Sequence, residues 1–260
     1  MHRPLLLIST PRSGSDWFAD RCLRWQAPGY FREYFNPVTN FARSAVLRLA
    51  FGSEVDWQNL AVPWEYQADL CEYVYQATWV LDGYRHAKEN YAAFKVGFLR
   101  RHFDCFALIG HRRQIFPGVS DPHSTAFWWG RYFQSLEFNR ELLDDEDAKL
   151  VDHALAAPLD LRRKMVAAQV IVTCRTAREC LRYGVPILEY RRLIAPSSTS
   201  EVVEHLRDKV PAPLMDDGLA DRVVATRRAD DQADRYDAWG VEDFAQGLIE
   251  LIPPELKPYF

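Results

Sequence analysis

The run Leu5-Leu6-Leu7-Ile8-Ser9-Thr10-Pro11-Arg12-Ser13-Gly14-Ser15-Asp16-Trp17 decides how this chain reads. Pro4 to Thr10 is a short, unbroken apolar run bounded by turn residues, the pattern of a strand buried in a parallel sheet. Pro11 to Ser15 is a turn. From Asp16 to Trp25, the residues Phe18, Cys22 and Trp25 recur at spacings of four and three, which places them on one helix face. Strand, tight loop and helix in that order make an anion cradle. Gly14 permits close backbone approach and unusual φ. Ser13 and Ser15 add hydroxyl donors, and Arg12 adds a fixed positive charge. The helix start presents unpaired N–H groups and the positive end of its dipole. A strand-to-helix turn capped by serine is the plainer reading of the same residues.

Further along, residues 28–40 are punctuated by Pro, Gly and Asn and contain Glu33-Tyr34-Phe35. Residues 63–82 look helical, with Leu70, Tyr73, Val74, Ala77, Val80 and Leu81 in phase. Ala92–Phe98 and Phe106–Gly110 read as two further strands. Residues 130–183 read as mostly helical, with one long stretch from Ala148, and Pro186–Tyr190 as the last strand. Val241, Phe244, Ala245, Leu248, Ile249 and Ile252 keep helical phase until Pro253-Pro254 stops them. Strands alternating with helices predict one α/β domain over residues 1–260 with a mostly parallel sheet. The loops that follow its strands should line one edge.

Composition narrows the function classes. The chain has 260 residues, 48% apolar and 26% charged, which is globular and excludes disorder, collagen and coiled coil as the main state. A net charge of −4 excludes a polycationic surface for nucleic acid. The basic residues are 26 arginines and 6 lysines. Arginine suits bidentate contact with phosphate and sulfate, although composition bias alone accounts for the count. Cysteines 22, 71, 105, 174 and 180 form no C-x-x-C pair and no even framework, which predicts a reduced, cytoplasmic protein. Leu5–Ile8 is too short for a signal peptide, and no run approaches the roughly 20 apolar residues that span a bilayer. None of the 12 glycines precedes a lysine, so there is no Walker A loop. H-E-x-x-H, G-x-S-x-G and G-x-G-x-x-G are also absent.

A strand followed by Pro-Arg-Ser-Gly-Ser, with Trp17 close behind, resembles the 5′-phosphosulfate loop of sulfotransferases that use 3′-phosphoadenosine 5′-phosphosulfate (PAPS). The resemblance implies a P-loop-like three-layer α/β/α sandwich with a central, mostly parallel sheet. It implies that Arg12, Ser13, Gly14, Ser15, Asp16 and Trp17 hold the phosphosulfate. The family usually has Thr where Asp16 stands, and a carboxylate there repels sulfate while suiting the helix dipole. Arg112 follows the strand Phe106–Gly110, and Ser120 lies eight residues on, as do the arginine and serine that hold the family's 3′-phosphate. Lys95-Val96-Gly97 matches the Lys-x-His strand of steroid and phenol sulfotransferases with glycine replacing the histidine base. Gly29 to Phe35 resembles the G-x-P-x-E-Y-F segment of bacterial sulfotransferases of the trehalose 2-sulfotransferase type, with Phe31 for the proline. The glutamate of that segment, here Glu33, is the base proposed for the branch. Ile187–Leu193 is similar to the family's late strand ending in Y-E-D-L, with Arg191 and Arg192 replacing both acids. Arg227-Arg228-Ala229-Asp230 is similar to the C-terminal segment that closes over the 3′-phosphate. Residues 40–90 and 121–185 carry little resemblance and are expected to be helical and to shape the acceptor side.

The expectation is therefore an enzyme that moves the sulfuryl group of PAPS onto a small-molecule hydroxyl, with adenosine 3′,5′-bisphosphate (PAP) as the other product. Glu33 would be the general base, Lys95 would stabilise the leaving oxygen, and no metal is required. Carbohydrate, lipid and natural-product acceptors fit equally by chemistry, with carbohydrate favoured by the branch; a homodimer is implied by the family alone. His102, His111 and His123 are alternative bases. Trp57, Trp64, Phe127, Trp128 and Trp129 could line an acceptor pocket, although aromatics are more often core. The competing reading is a non-catalytic binder of PAP or a related anion. A nucleotide kinase is a third reading, disfavoured by the missing Gly-Lys.

Overall fold

β1 (Leu5–Ser9) is the middle of a parallel sheet, hydrogen-bonded to β3 (His86–Glu89) on one side and β4 (Asp104–Ile109) on the other. β2 (Tyr30–Arg32) and β5 (Ile187–Glu189) are the edges, giving the order β2-β3-β1-β4-β5 with every pairing parallel. This computed structural model describes residues 3–10, 13–26, 29–33, 35, 58, 60–76, 79, 85–110, 125–195, 198–226 and 240–260.

Alternation along the strands feeds two apolar clusters, one on each face. Leu6, Ile8, Ala87, Cys105, Ala107 and Ile109 join the first. Leu7, Phe106, Leu108 and Leu188 join the second. The first face is covered by α3 (Val96–His102), α4 (Thr125–Phe138), α5 (Asp145–Leu155), α6 (Leu161–Arg182) and α10 (Glu242–Glu250), and near it lies α2 (Ala68–Tyr75). The second is covered by α1 (Ser15–Trp17) with the π-turn Phe18–Cys22, and by α7 (Tyr190–Ile194), α8 (Thr199–Leu206) and α9 (Leu219–Thr226). The link from β1 leads towards β2 over the second face. The links from β3 to β4 and from β4 to β5 run the other way across the sheet and lie over the first face. Opposite directions on opposite faces are what a single, right-handed crossover hand requires. The direction reverses between β1 and β4, the kind of switch point outside which α/β sheets bind ligands.

Two expected elements differ. Ala92–Phe98 is not a strand: residues 93–95 form a turn and α3 follows, while the neighbouring strand is His86-Ala87-Lys88-Glu89. Ala92 to Leu99 is buried almost throughout. A short apolar run hides its period and fits a buried helix as well as a strand. The real strand was hidden by its polar residues, two of which, Lys88 and Glu89, are completely buried. The long helix from Ala148 is in fact two, α5 and α6, separated by residues 156–160 with Pro158 among them. Asp144 and Asp160 cap the two starts, accepting from the Asp147 and Arg163 backbone N–H groups at 3.0 and 2.9 Å. The five cysteines are unbridged and buried. Among the described residues no helix is long and apolar enough to cross a membrane.

Candidate active site at the carboxyl edge of the sheet

The carboxyl ends of β1, β2 and β3 bring distant polar residues together. Alternation turns Ser9 and Lys88 towards the second face, and Asn90, two beyond Lys88, follows it. Both Ser9 Oγ and Ser15 Oγ donate to Asn90 Oδ1, the latter at 3.0 Å. Asn90 Nδ2 donates to Glu33 Oε1 at 2.6 Å. Lys88 Nζ donates to the same Glu33 oxygen at 2.9 Å and to Asp16 Oδ1 at 2.6 Å. Lys88 is 0% exposed, whereas the Asp16 side chain is 57% exposed and stands at the rim. One buried ammonium thus sits between two carboxylates, which offsets its desolvation.

The loop after β1 owes its shape to packing. Gly14 has φ 83°, a left-handed value that glycine adopts without a Cβ penalty. A Cβ there would also overlap the Tyr190 ring. Gly14 therefore serves the approach of Tyr190 as well as the turn. No side chain caps the helix that starts at Ser15, so the serine-capped turn is not the arrangement found. Ser15 instead reaches across to Asn90. Ser13 Oγ is buried with no hydrogen-bond partner among the described residues. Trp17 Nε1 donates to the Thr226 carbonyl at 3.0 Å and its hydroxyl at 2.9 Å, and its ring meets Tyr190 edge-on. Trp17 thereby ties the loop to the residue immediately before position 227.

Glu33 is held in an unusual way. Its φ is 58°, and its N–H donates to the Lys88 carbonyl at 2.6 Å. Tyr30 packs in the second-face cluster and Phe35 against the first, so the chain crosses the end of the sheet at Glu33. On the first face the buried Glu89 carboxylate accepts the Phe35 and Tyr91 N–H groups at 2.8 and 2.7 Å. Burial pushes the Glu89 carboxyl up to about 7; the two N–H bonds oppose the rise, Glu33 adds to it, and Lys88 opposes it.

Lys95 does not join this cluster. It stands in the turn before α3, buried, with Nζ 3.4 Å from the Val62 carbonyl and 5.3 Å from the Phe35 ring centre. Burial lowers its pKa, opposed by Cys71 and Glu89. The lysine that reaches Glu33 is Lys88, which the sequence reading missed. His-Ala-Lys-Glu-Asn shows no apolar period, and only its place at the end of a central strand marks it.

The other predicted residues divide as follows. Ser13, Gly14, Ser15, Asp16, Trp17 and Glu33 come together at this edge. Arg12, Arg112, Ser120, Arg227, Arg228, His111, His123, Trp57 and the side chains of Phe127 and Trp128 lie outside the described residues. His102 ends α3 just before β4 begins, at the opposite edge of the sheet, 3.4 Å from Glu72 and packed against Tyr75. Trp64 packs on Phe98 with Arg101 over its ring at 4.3 Å. Trp129 is buried beside Tyr132, and Tyr132 stacks on Tyr91, next to Asn90.

No family model, curated protein or solved structure matches the chain.

Proposed function

We propose that this chain is a PAPS-dependent sulfotransferase with Glu33 as its general base. One observation carries the reading: Asn90 hydrogen-bonds both Ser15 of the Pro-Arg-Ser-Gly-Ser loop and Glu33 of the Glu-Tyr-Phe segment. Two segments that resemble sulfotransferases for separate reasons thus share one site. The parallel sheet, helices on both faces and a central strand–loop–helix support the finer expectation of a P-loop-like three-layer α/β/α sandwich.

The donor set suits a phosphosulfate. Ser13 has a hydroxyl with no partner among the described residues, Ser15 has a second that is held by Asn90, and Gly14 gives the loop its left-handed turn beside the Tyr190 ring. With Arg12 they would hold the 5′ end, while Arg112 and Ser120 would hold the 3′-phosphate. Arg227 and Arg228 follow directly on the Thr226 anchor of Trp17. Bound PAPS supplies a sulfuryl group whose bond to the 5′-phosphate breaks as the acceptor oxygen bonds to sulfur. Glu33 would take the acceptor's hydroxyl proton, a step worth about 10²–10⁴-fold. Lys88, in place of Lys95, would offset negative charge near the leaving oxygen.

Asp16 favours the second reading, a PAP-binding protein without turnover, because its carboxylate engages Lys88 where a sulfate would compete. Conversion of PAPS to PAP with trehalose, glucose and phenol as probe acceptors separates the two. The enzyme reading expects wild-type turnover that Glu33→Gln abolishes while PAP affinity is kept. PAP binding without turnover on any hydroxyl acceptor would establish the binder, and absence of PAP binding would remove both.

A further inference from the structure

We infer that Glu89 is a positioning residue for Glu33, its buried carboxylate clamping the backbone on both sides of the Glu33–Asn90 hydrogen bond. The effect on turnover rests on Glu33 being the base; the clamp itself concerns only this chain's backbone. β3 runs into Asn90 as Lys88-Glu89-Asn90, and alternation sends residues 88 and 90 to one face and 89 to the other. On one face Lys88 Nζ and Asn90 Nδ2 both grip Glu33 Oε1. On the other, Glu89 Oε2 accepts the Phe35 N–H and Oε1 the Tyr91 N–H.

Between those grips the chain passes over the sheet end with Glu33 at φ 58°. A left-handed conformation is unfavourable for a residue other than glycine and persists only where its surroundings fix it. The Glu33 N–H bond to the Lys88 carbonyl fixes the near side. The Glu89 bond to Phe35 fixes the far side. The bond to Tyr91 fixes the segment that carries Asn90, so one carboxylate locates both members of the pair. Burying a carboxylate is costly unless its oxygens are bonded, and among the described residues these two N–H groups are what Glu89 bonds. The charged and titratable groups around it are Glu33 and Lys88 from the strand ends, Lys95 from the turn before α3 and Tyr132 from α4. Its raised pKa makes pH 8 the condition for the test, where the carboxylate is ionised.

The experiment compares wild type, Glu89→Gln and Glu33→Gln in three measurements at pH 8: amide hydrogen exchange by NMR, PAP affinity, and PAPS-to-PAP turnover with the acceptor panel above. Glutamine offers one acceptor oxygen where the carboxylate offers two. The clamp predicts that in Glu89→Gln the Phe35 or Tyr91 amide exchanges at least about tenfold faster, while amides in the middle of β1 and β4 keep wild-type protection. A shift of about 1 Å in a reacting group costs about 10²-fold, so turnover should fall at least tenfold with PAP affinity within twofold. Unchanged exchange at both amides overturns the clamp. Faster exchange with unchanged turnover, where Glu33→Gln abolishes turnover, overturns the positioning role and leaves the base assignment intact. Turnover that survives Glu33→Gln overturns the base assignment instead, and the clamp then stands or falls on the exchange data.

Discussion

Two charge clusters in this molecule use the same residue types for opposite ends. Between α5 and α6, Arg175 and Arg178 share Asp144, Glu146, Asp147 and Glu179, with Arg178 to Asp144 at 2.7 Å and to Asp147 at 2.8 Å. Those groups stand on regular helices, and Asp144 doubles as an N-cap. At the carboxyl edge of the sheet, the buried Lys88 serves Asp16 and Glu33. Its partners stand in the three-residue α1 and at a left-handed residue. The helical cluster sets Arg175, Arg178 and Arg182 against those four carboxylates, and it joins two helices. The edge cluster sits where the backbone is left-handed at Gly14 and Glu33, beside a Ser13 hydroxyl that has no partner among the described residues. A charge cluster on rigid helices fastens; one at strand ends is available for chemistry.

That contrast breaks if mutations in the two clusters have similar effects. Glu33→Gln should cost about 10²–10⁴-fold in turnover per folded molecule, and its urea midpoint should fall as well, because the fully buried Lys88 loses one of its two carboxylates. Arg175→Ala should act on stability alone. It removes one of the two arginines on the fully buried Asp147, a loss of at most about 3 kcal/mol by urea unfolding because Arg178 remains, with turnover per folded molecule preserved. Gly14→Ala should fall between them. It forces a left-handed alanine against Tyr190, costing about 1–3 kcal/mol in stability and weakening PAP binding. Asp16→Asn should tighten PAP binding by up to about fivefold, the scale of an exposed ion pair near 1 kcal/mol. A separate effect, read as a slope, is in pH dependence. The Glu89 carboxyl lies at about 7 in the fold against 4.5 as its ordinary value. Its contribution to stability is full below about 4.5 and is lost as pH rises through about 7. Glu89→Gln should flatten that part of a stability–pH curve measured by urea unfolding, and an unaltered slope there would contradict the assignment.

Much of the sheet was legible because β1, β4 and β5 are apolar runs with turn residues at their ends. β3 was not. Lys88 and Glu89 obey no hydrophobic pattern, because their burial is made tolerable by polar partners, most of them far away in sequence: Glu33 and Asp16 for Lys88, and the Phe35 and Tyr91 N–H groups for Glu89. The same fact hid part of the site. Ser13 to Trp17 and Glu33 were visible from local residue chemistry. Asn90, Lys88 and Glu89 became functional candidates only when strand pairing carried them next to that loop. Lys95 matches the lysine of the Lys-x-His strand by resemblance, but its run forms a turn and helix, which takes its ammonium to the Val62 carbonyl. Gly14 was read as room for a ligand, yet a ring from β5's far end also needs that space, which no local spacing could reveal.

If the Ser13–Trp17 segment and Glu33 form one nucleotide site, a titration of adenosine 3′,5′-bisphosphate followed through backbone amide resonances will show it. The amides of Ser13 to Trp17, Glu33 and Asn90 should shift together and saturate with one dissociation constant, while those of the α5–α6 cluster stay still. Shifts confined to the loop, with Glu33 and Asn90 unmoved, or no saturable shift at all, would contradict it.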